Sequence, residues 1–210
     1  MKKCVLVTGA SGFIGRALVG HLIDAGYAVR AATSDSRSFA QPVEVAIVSA
    51  PIDTVNWKPI LDGVDFVIHL AGIAHAATRD SSYAMFDAIN RQATKNLALA
   101  ANEAGVERFV FISSVRAQVG PSAMQSVREA DEPRPTDDYG RSKLAAEREI
   151  RASGVPFTIL RPVAVYGPYP KGNMKNLVNM AMKPFPLPAF TGRRSLLGID
   201  NLTSAILFVC

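Results

Sequence analysis

Tyr139 and Lys143 stand four residues apart at the head of a stretch with helical periodicity, so on a helix they share one face. A phenol is a poor acid or base near neutrality, with a free pKa of about 10. A neighbouring ammonium favours the phenolate and lowers that value. The pair could therefore give or take a proton at a carbonyl or a hydroxyl. Ser113-Ser114 closes an apolar run, where a serine hydroxyl can align a substrate oxygen. The bland readings are a solvated helix face and a serine capping a turn. A third cluster is Gly9, Gly12 and Gly15, a G-x-x-G-x-x-G spacing directly after Val5-Leu6-Val7. A buried strand turning through glycine into a helix points the free N–H groups of the first helical turn at one spot, which suits a pyrophosphate.

Elements in regular alternation must position these groups. Strands are expected at Cys4–Thr8, Tyr27–Ala32, Val43–Ser49, Val64–Ala71, Phe109–Ser113 and Phe157–Arg161. Helices are expected at Ile14–Ala25, capped by Gly26, at Met85–Ala104, stopped by Gly105, and at Tyr139–Ser153. Near-continuous apolar strands separated by helices imply an α/β fold with a doubly wound parallel sheet. Its ligands sit at the carboxyl ends of the strands, where Gly9 and Ser114 fall. From Gly167 the chain turns proline-rich and reads as loop around a short helix at Asn173–Met182, followed by an apolar helix at Asp200–Cys210. Residues 1–166 are thus expected to form the dinucleotide-binding domain, and 167–210 a small, incomplete substrate-binding cap. The uncapped apolar end suggests further residues downstream.

The 210 residues are 49% hydrophobic and 20% charged, ordinary for a soluble protein with a real core. The net charge of +5 is spread among acids rather than blocked, which argues against a nucleic-acid surface. Cys4 and Cys210 form no metal or redox spacing, so no metal is expected. No stretch has the length or polarity of a membrane span. With the first strand beginning so close to Met1, no leader is expected, and the protein reads as cytoplasmic.

Taken in order, Thr8–Gly15, His69-Leu70-Ala71-Gly72, Ser113-Ser114, Tyr139…Lys143 and Arg161–Pro168 resemble the extended short-chain dehydrogenase/reductases. The branch they resemble most is the NAD-dependent epimerase/dehydratase family, with its UDP-sugar 4-epimerases and surface-polysaccharide relatives. The resemblance implies a Rossmann-type domain that binds NAD, with NADP as the alternative. It implies cofactor contacts from Gly9, Ser11, Gly12, Phe13, Ile14 and Gly15, from Leu70, Ala71 and Gly72, and from Pro162 and Val163. Tyr139 would be the acid/base, Lys143 would hold the nicotinamide ribose and tune the tyrosine, and Ser114 would complete the trio and touch substrate. Counting from the strand selects Ser114, whereas counting back from Gly120 lands on Val115; a strand end fixes geometry better than a loop does. The resemblance also implies a homodimer.

Some positions depart from the pattern. The acid expected at the end of the second strand falls on Thr33, with Asp35 two residues later as a ribose ligand and Arg37 placed to meet a 2′-phosphate. Ala164 stands where sugar-nucleotide epimerases often carry an asparagine, and Val115-Arg116 replaces the Asp-Glu pair of a dehydratase. Arg193 could contact a substrate diphosphate. His69 reads as structural, and Asn90 as a bridge between backbone groups. The leading expectation is a nucleotide-sugar epimerase working by transient hydride transfer. A carbonyl reductase or dehydrogenase on a non-sugar substrate is the alternative in the same class, and a non-catalytic dinucleotide sensor the alternative outside it.

Overall fold

In the computed structural model, residues 2–34, 39, 43–48, 52–74, 83–168, 179–180, 182 and 193–210 are described. Six parallel strands make one sheet: β1 (Cys4–Thr8), β2 (Ala28–Thr33), β3 (Glu44–Ile47), β4 (Phe66–His69), β5 (Arg108–Ile112) and β6 (Phe157–Leu160), in the order β3-β2-β1-β4-β5-β6. The order reverses between β1 and β4, whose registered pairs run from Val5 with Phe66 to Thr8 with His69. At such a reversal the flanking crossovers leave on opposite faces and open a crevice at the strands' carboxyl ends. The doubly wound α/β expectation is met.

Each strand feeds two cores because successive side chains alternate between faces. On β1, Leu6 joins Val67, Leu97, Phe109, Phe111 and Ile150 on one face of the sheet. Val5 and Val7 join Leu18, Leu22, Ile68 and Val110 on the other. Helix α1 (Phe13–Asp24) buries Gly15, Leu18, Val19 and Leu22, the i, i+3, i+4, i+7 stripe of a helix lying on a sheet. It ends in a Schellman cap, with Gly26 N–H donating to Ile23 O (2.9 Å) and Tyr27 N–H to Leu22 O (3.0 Å). Gly26 takes φ +90° there, a conformation that costs other residues energy.

The long helix after β4 is interrupted. Helix α2 (Tyr83–Phe86) runs into a π-helical segment, Asp87–Gln92, before α3 (Ala93–Glu103) resumes the α-helical ladder. Such wide turns admit a side chain or hydroxyl into the ladder, and here Thr94 Oγ1 donates to Asn90 O at 2.6 Å. A short helix, α4 (Arg116–Val119), follows β5, and α5 (Asp138–Ala152) carries Tyr139 and Lys143.

After β6 the structure adds a feature that the proline-rich texture conceals. Strand β7 (Ala164–Tyr166) pairs in parallel with β8 (Leu196–Gly198), a contact between segments some 30 residues apart. The final helix, α6 (Ile199–Val209), places Leu202 and Ile206 in the core that α1 caps. His21 Nδ1 and Thr203 Oγ1 meet at 2.8 Å across that contact. The expected helix at Asn173–Met182 lies largely outside the described residues. Among the described residues, no helix is long and apolar enough to cross a membrane.

Candidate active site

The glycine turn is built by close approach. Gly9, at φ +68°, lies so near the end of β4 that a Cβ on it would stand 2.8 Å from Ala71 N. A Cβ on Gly15 would stand 2.4 Å from Gly9 O and 2.6 Å from Ala10 O, so only glycine lets α1 sit down on the turn. The turn closes with Gly12 N–H donating to Gly9 O (2.9 Å), and the first helical bond is Arg16 N–H to Gly12 O (3.1 Å). The amides of Phe13, Ile14 and Gly15 therefore precede the ladder with no acceptor inside the helix. Gly12 supplies no side-chain cap, and the first turn holds no acid. A donor set left open beneath a positive helix end fits a dinucleotide pyrophosphate. Ser11 Oγ accepts from Thr33 Oγ1 at 2.9 Å, tying the turn to the end of β2. Asp35 and Arg37 lie outside the described residues.

Beneath the turn runs a buried polar chain. Thr94 commits its hydrogen to Asn90 O, so His69 Nε2 must donate to Thr94 Oγ1 (2.8 Å). His69 Nδ1 then accepts from Thr8 Oγ1 at 2.6 Å, and Thr8 Oγ1 accepts from Ala71 N–H. Burial, reinforced by the charge of Lys143, pushes the His69 imidazole down to about 3, so it stays neutral. Its structural reading stands. Asn90 straps the backbone of Ile73, accepting from its N–H (2.9 Å) and donating to its carbonyl (3.0 Å). It also donates to Ser142 Oγ, which donates to Tyr139 O, so the chain reaches α5. Leu70, Ala71 and Gly72 follow β4 above this network; a Cβ on Gly72 would stand 2.8 Å from Asn90 Oδ1 and 3.8 Å from Lys143 Nζ.

At the neighbouring strand end, Ser114 Oγ accepts from Arg116 N–H at 3.2 Å, and its side chain lies near enough to the Tyr139 phenol to act to lower its pKa. Ser113 turns to the other side and donates to Glu147 Oε1 at 2.5 Å. The count from the strand therefore selects the serine that lies near the tyrosine. Pro162, one residue past Arg161, accepts through its carbonyl from Val115 N–H and so ties the ends of β5 and β6 together, with Val163 beside it. Arg193 is exposed just ahead of β8.

The electrostatics differ from expectation. Lys143 is 4% exposed, its Nζ 4.2 Å from the Phe111 ring centroid. Burial pushes its ammonium down to about 7, against an opposing pull from Glu147. Tyr139 is raised above the usual phenol value, chiefly by burial; Ser114 and the charge of Arg116 act to lower it. Arg116 lies over the phenol ring, 5.1 Å from its centroid, and adds a cation there that spacing does not reveal. Helical spacing puts Tyr139 and Lys143 on one face, yet the lysine stem turns onto the sheet. Arg116 was not legible as a site residue because a loop of about twenty residues separates it from Tyr139.

Glu147 was also missed, although it follows Lys143 by four and Tyr139 by eight and so shares their helix face. It is 1% exposed and accepts from Arg161 Nε at 2.8 Å and from Arg161 Nη2. Arg161 also donates to Gln118 Oε1, and Gln118 Nε2 holds the carbonyl of Asp131. The whole group pins α5 against the ends of β5 and β6.

Comparison with known proteins identifies the family. The model of the family described as NAD dependent epimerase/dehydratase matches residues 5–210. A UDP-glucose 4-epimerase of Vibrio cholerae is 33% identical over 219 residues, covering 98% of this chain and 66% of that protein. A 3 beta-hydroxysteroid dehydrogenase/Delta 5-->4-isomerase of Mycobacterium tuberculosis is 29% identical, covering 94% of this chain and 56% of that protein. Among solved structures, MoeE5 in complex with UDP-glucose and NAD superposes with a TM-score of 0.79 at 29% identity, over 97% of this chain and 70% of that one. The chain thus spans between about half and two-thirds of the length of these curated relatives.

Proposed function

We propose, from the fact that this chain belongs to the NAD dependent epimerase/dehydratase family, that it is the cofactor-binding and proton-transfer part of a nucleotide-sugar 4-epimerase. The observation that carries the reading is the juxtaposition of Ser114, at the end of β5, with the buried Tyr139 of α5, close enough for the serine to act on the phenol. Residues 1–166 form the dinucleotide-binding part on this reading, and 167–210 belong to the substrate side, where Arg193 would meet a diphosphate.

The open amides of Phe13, Ile14 and Gly15, with Gly9, Ser11 and Gly12, would hold the pyrophosphate of NAD. Leu70, Ala71, Gly72, Pro162 and Val163 would line the rest of its path, and Lys143 would meet the nicotinamide ribose. When bound, the nicotinamide supplies a hydride acceptor and donor. The protein's own part is the proton. Tyr139 takes the proton of a sugar hydroxyl as that carbon is oxidised, and returns it when the carbonyl is reduced from the other face. Ser114 holds the sugar oxygen in line with the phenol. Burial keeps Tyr139 protonated at neutral pH in the cofactor-free protein, so the proton-accepting direction needs a cation close by. Dehydration is disfavoured because Val115 and Arg116 follow Ser114 and neither is a carboxylate.

A second reading has its own support. Ala164 stands where many sugar-nucleotide epimerases have an asparagine, and one relative is named as a steroid dehydrogenase. On that reading the same trio reduces or oxidises a non-sugar carbonyl or hydroxyl group. Incubation with NAD and UDP- or dTDP-sugars separates the two. Interconverted sugar with no net change at the NADH band supports the epimerase, and net consumption of NAD(P)H with a carbonyl substrate supports the reductase. Tyr139→Phe must abolish either activity, lowering kcat by about a hundredfold or more; unchanged turnover would sink both.

A further inference from the structure

Arg116 opens α4, two residues after Ser114, and Asp137 caps α5 by accepting from Gly140 N–H. Their side chains form an ion pair across the two segments. The same guanidinium lies over the Tyr139 ring, while Phe86 of α2 stands tilted by 59° at 6.4 Å between centroids. As a fastening between α4 and α5 the pair is incomplete. An Arg–carboxylate bridge built for strength is a two-point fork, yet Arg116 Nε and Asp137 Oδ1 are buried without partners. What the arrangement does complete is the setting of the phenol ring.

We propose that Arg116 and Asp137 form a positioning device for Tyr139, in which the guanidinium holds the ring against Phe86 and the carboxylate holds the guanidinium in place. Both charges also act on the phenol, and with opposite sign. In a desolvated setting a cation favours the phenolate and an anion disfavours it; Arg116 lowers the Tyr139 pKa and Asp137 raises it. The other charges near by are engaged elsewhere. Asp138 and Arg141 of α5 pair with each other, Lys143 lies over Phe111, and on the π segment Arg91 pairs with Asp87 and with Glu149. Ser114, at the end of β5, also acts to lower the phenol pKa. Arg116 thus supplies, in the cofactor-free protein, a cationic influence on the phenol that the helical spacing does not reveal.

The device rests on Tyr139 as the proton carrier, yet its test needs neither substrate nor cofactor. Tyrosinate absorbance is titrated in the wild type and in Tyr139→Phe, and the difference reports Tyr139 alone. The same subtraction is made in Arg116→Met, Arg116→Lys and Asp137→Ser, the last keeping a hydroxyl that can cap α5. Arg116→Met is expected to move the titration upward. Arg116→Lys, which keeps the charge, should stay closer to wild type than Arg116→Met. Asp137→Ser is expected to move it downward in the double variant with Arg116→Met, where only the lost anion acts, and less far down, or upward, with Arg116 present, where the guanidinium also loses its hold. Equal Asp137→Ser shifts in the two backgrounds, or no shift in Arg116→Met, overturn the device. If Arg116→Met does not fold, Arg116→Gln takes its place in both comparisons. Turnover surviving Tyr139→Phe would remove the functional reading while leaving these titrations intact.

Discussion

Glu147, fully buried, and Arg161, partly exposed, form an ion pair at the point where α5 crosses the ends of β5 and β6. The carboxylate is 1% exposed and takes Ser113 as a further donor, while the guanidinium also reaches Gln118. Neither partner reaches Tyr139, yet together they fix the helix that carries it.

Removing Arg161 strands the buried Glu147 carboxylate, which costs up to about 3–5 kcal/mol. Arg161→Met is expected to lose stability on that order in urea denaturation, and Glu147→Leu less, because the guanidinium it leaves is 21% exposed. The double variant should recover a good part of the loss, because it leaves no charge unpaired. A double variant as unstable as the sum of the single ones would show that packing, and not charge, dominates there.

Two glycines of α1 predict opposite outcomes for the same change. A Cβ on Gly15 would meet backbone oxygens at 2.4 and 2.6 Å, so Gly15→Ala must lift α1 off the turn. Weaker NAD binding and a lower melting temperature are expected, measured by calorimetric titration and thermal denaturation. Gly20 has nothing within 4 Å of an added Cβ and lies inside the helix. Gly20→Ala should therefore stabilise by roughly 0.5–1 kcal/mol.

Lys143 makes the stability of the cofactor-free protein depend on pH. Its folded pKa of about 7 lies below the ordinary lysine value of 10.5. Between those values the unfolded chain binds more protons, so this contribution to stability rises with pH. Lys143→Met is expected to be more stable than wild type below pH 7, with the gap closing as pH rises towards 10. His69, lowered from 6.5 to about 3, acts the same way in acid. Its contribution is full above pH 6.5 and is lost as pH falls through that window to about 3. Chemical denaturation of the wild type, Lys143→Met and His69→Gln across pH measures both; a wild-type to Lys143→Met gap that widens above pH 7 would contradict the assignment.

The strands and helices were legible from local pattern, because a strand buried on both faces reads as an apolar run and a helix on a sheet shows its stripe. The glycine turn was legible for a similar reason. Its constraints act between residues a few positions apart, as Gly15 against Gly9 and Ala10 shows. The shared face of Tyr139 and Lys143 followed from helical geometry, and the end of β5 placed Ser114 near Tyr139. The strand order, the pairing of β7 with β8, and the π turn at Asn90 were not legible, since each depends on partners far along the chain.

By itself, then, the sequence determined the alternating α/β architecture, the place of the glycine turn and the helix face that Tyr139 and Lys143 share. All of these rest on interactions of short range along the backbone. Which charge faces which group was decided only by the tertiary structure. Lys143 goes to Phe111 and Arg116 to Tyr139 because burial and long-range packing set the direction of a flexible side chain. Spacing can put two residues on one face, but desolvation and distant neighbours determine what each of them does there.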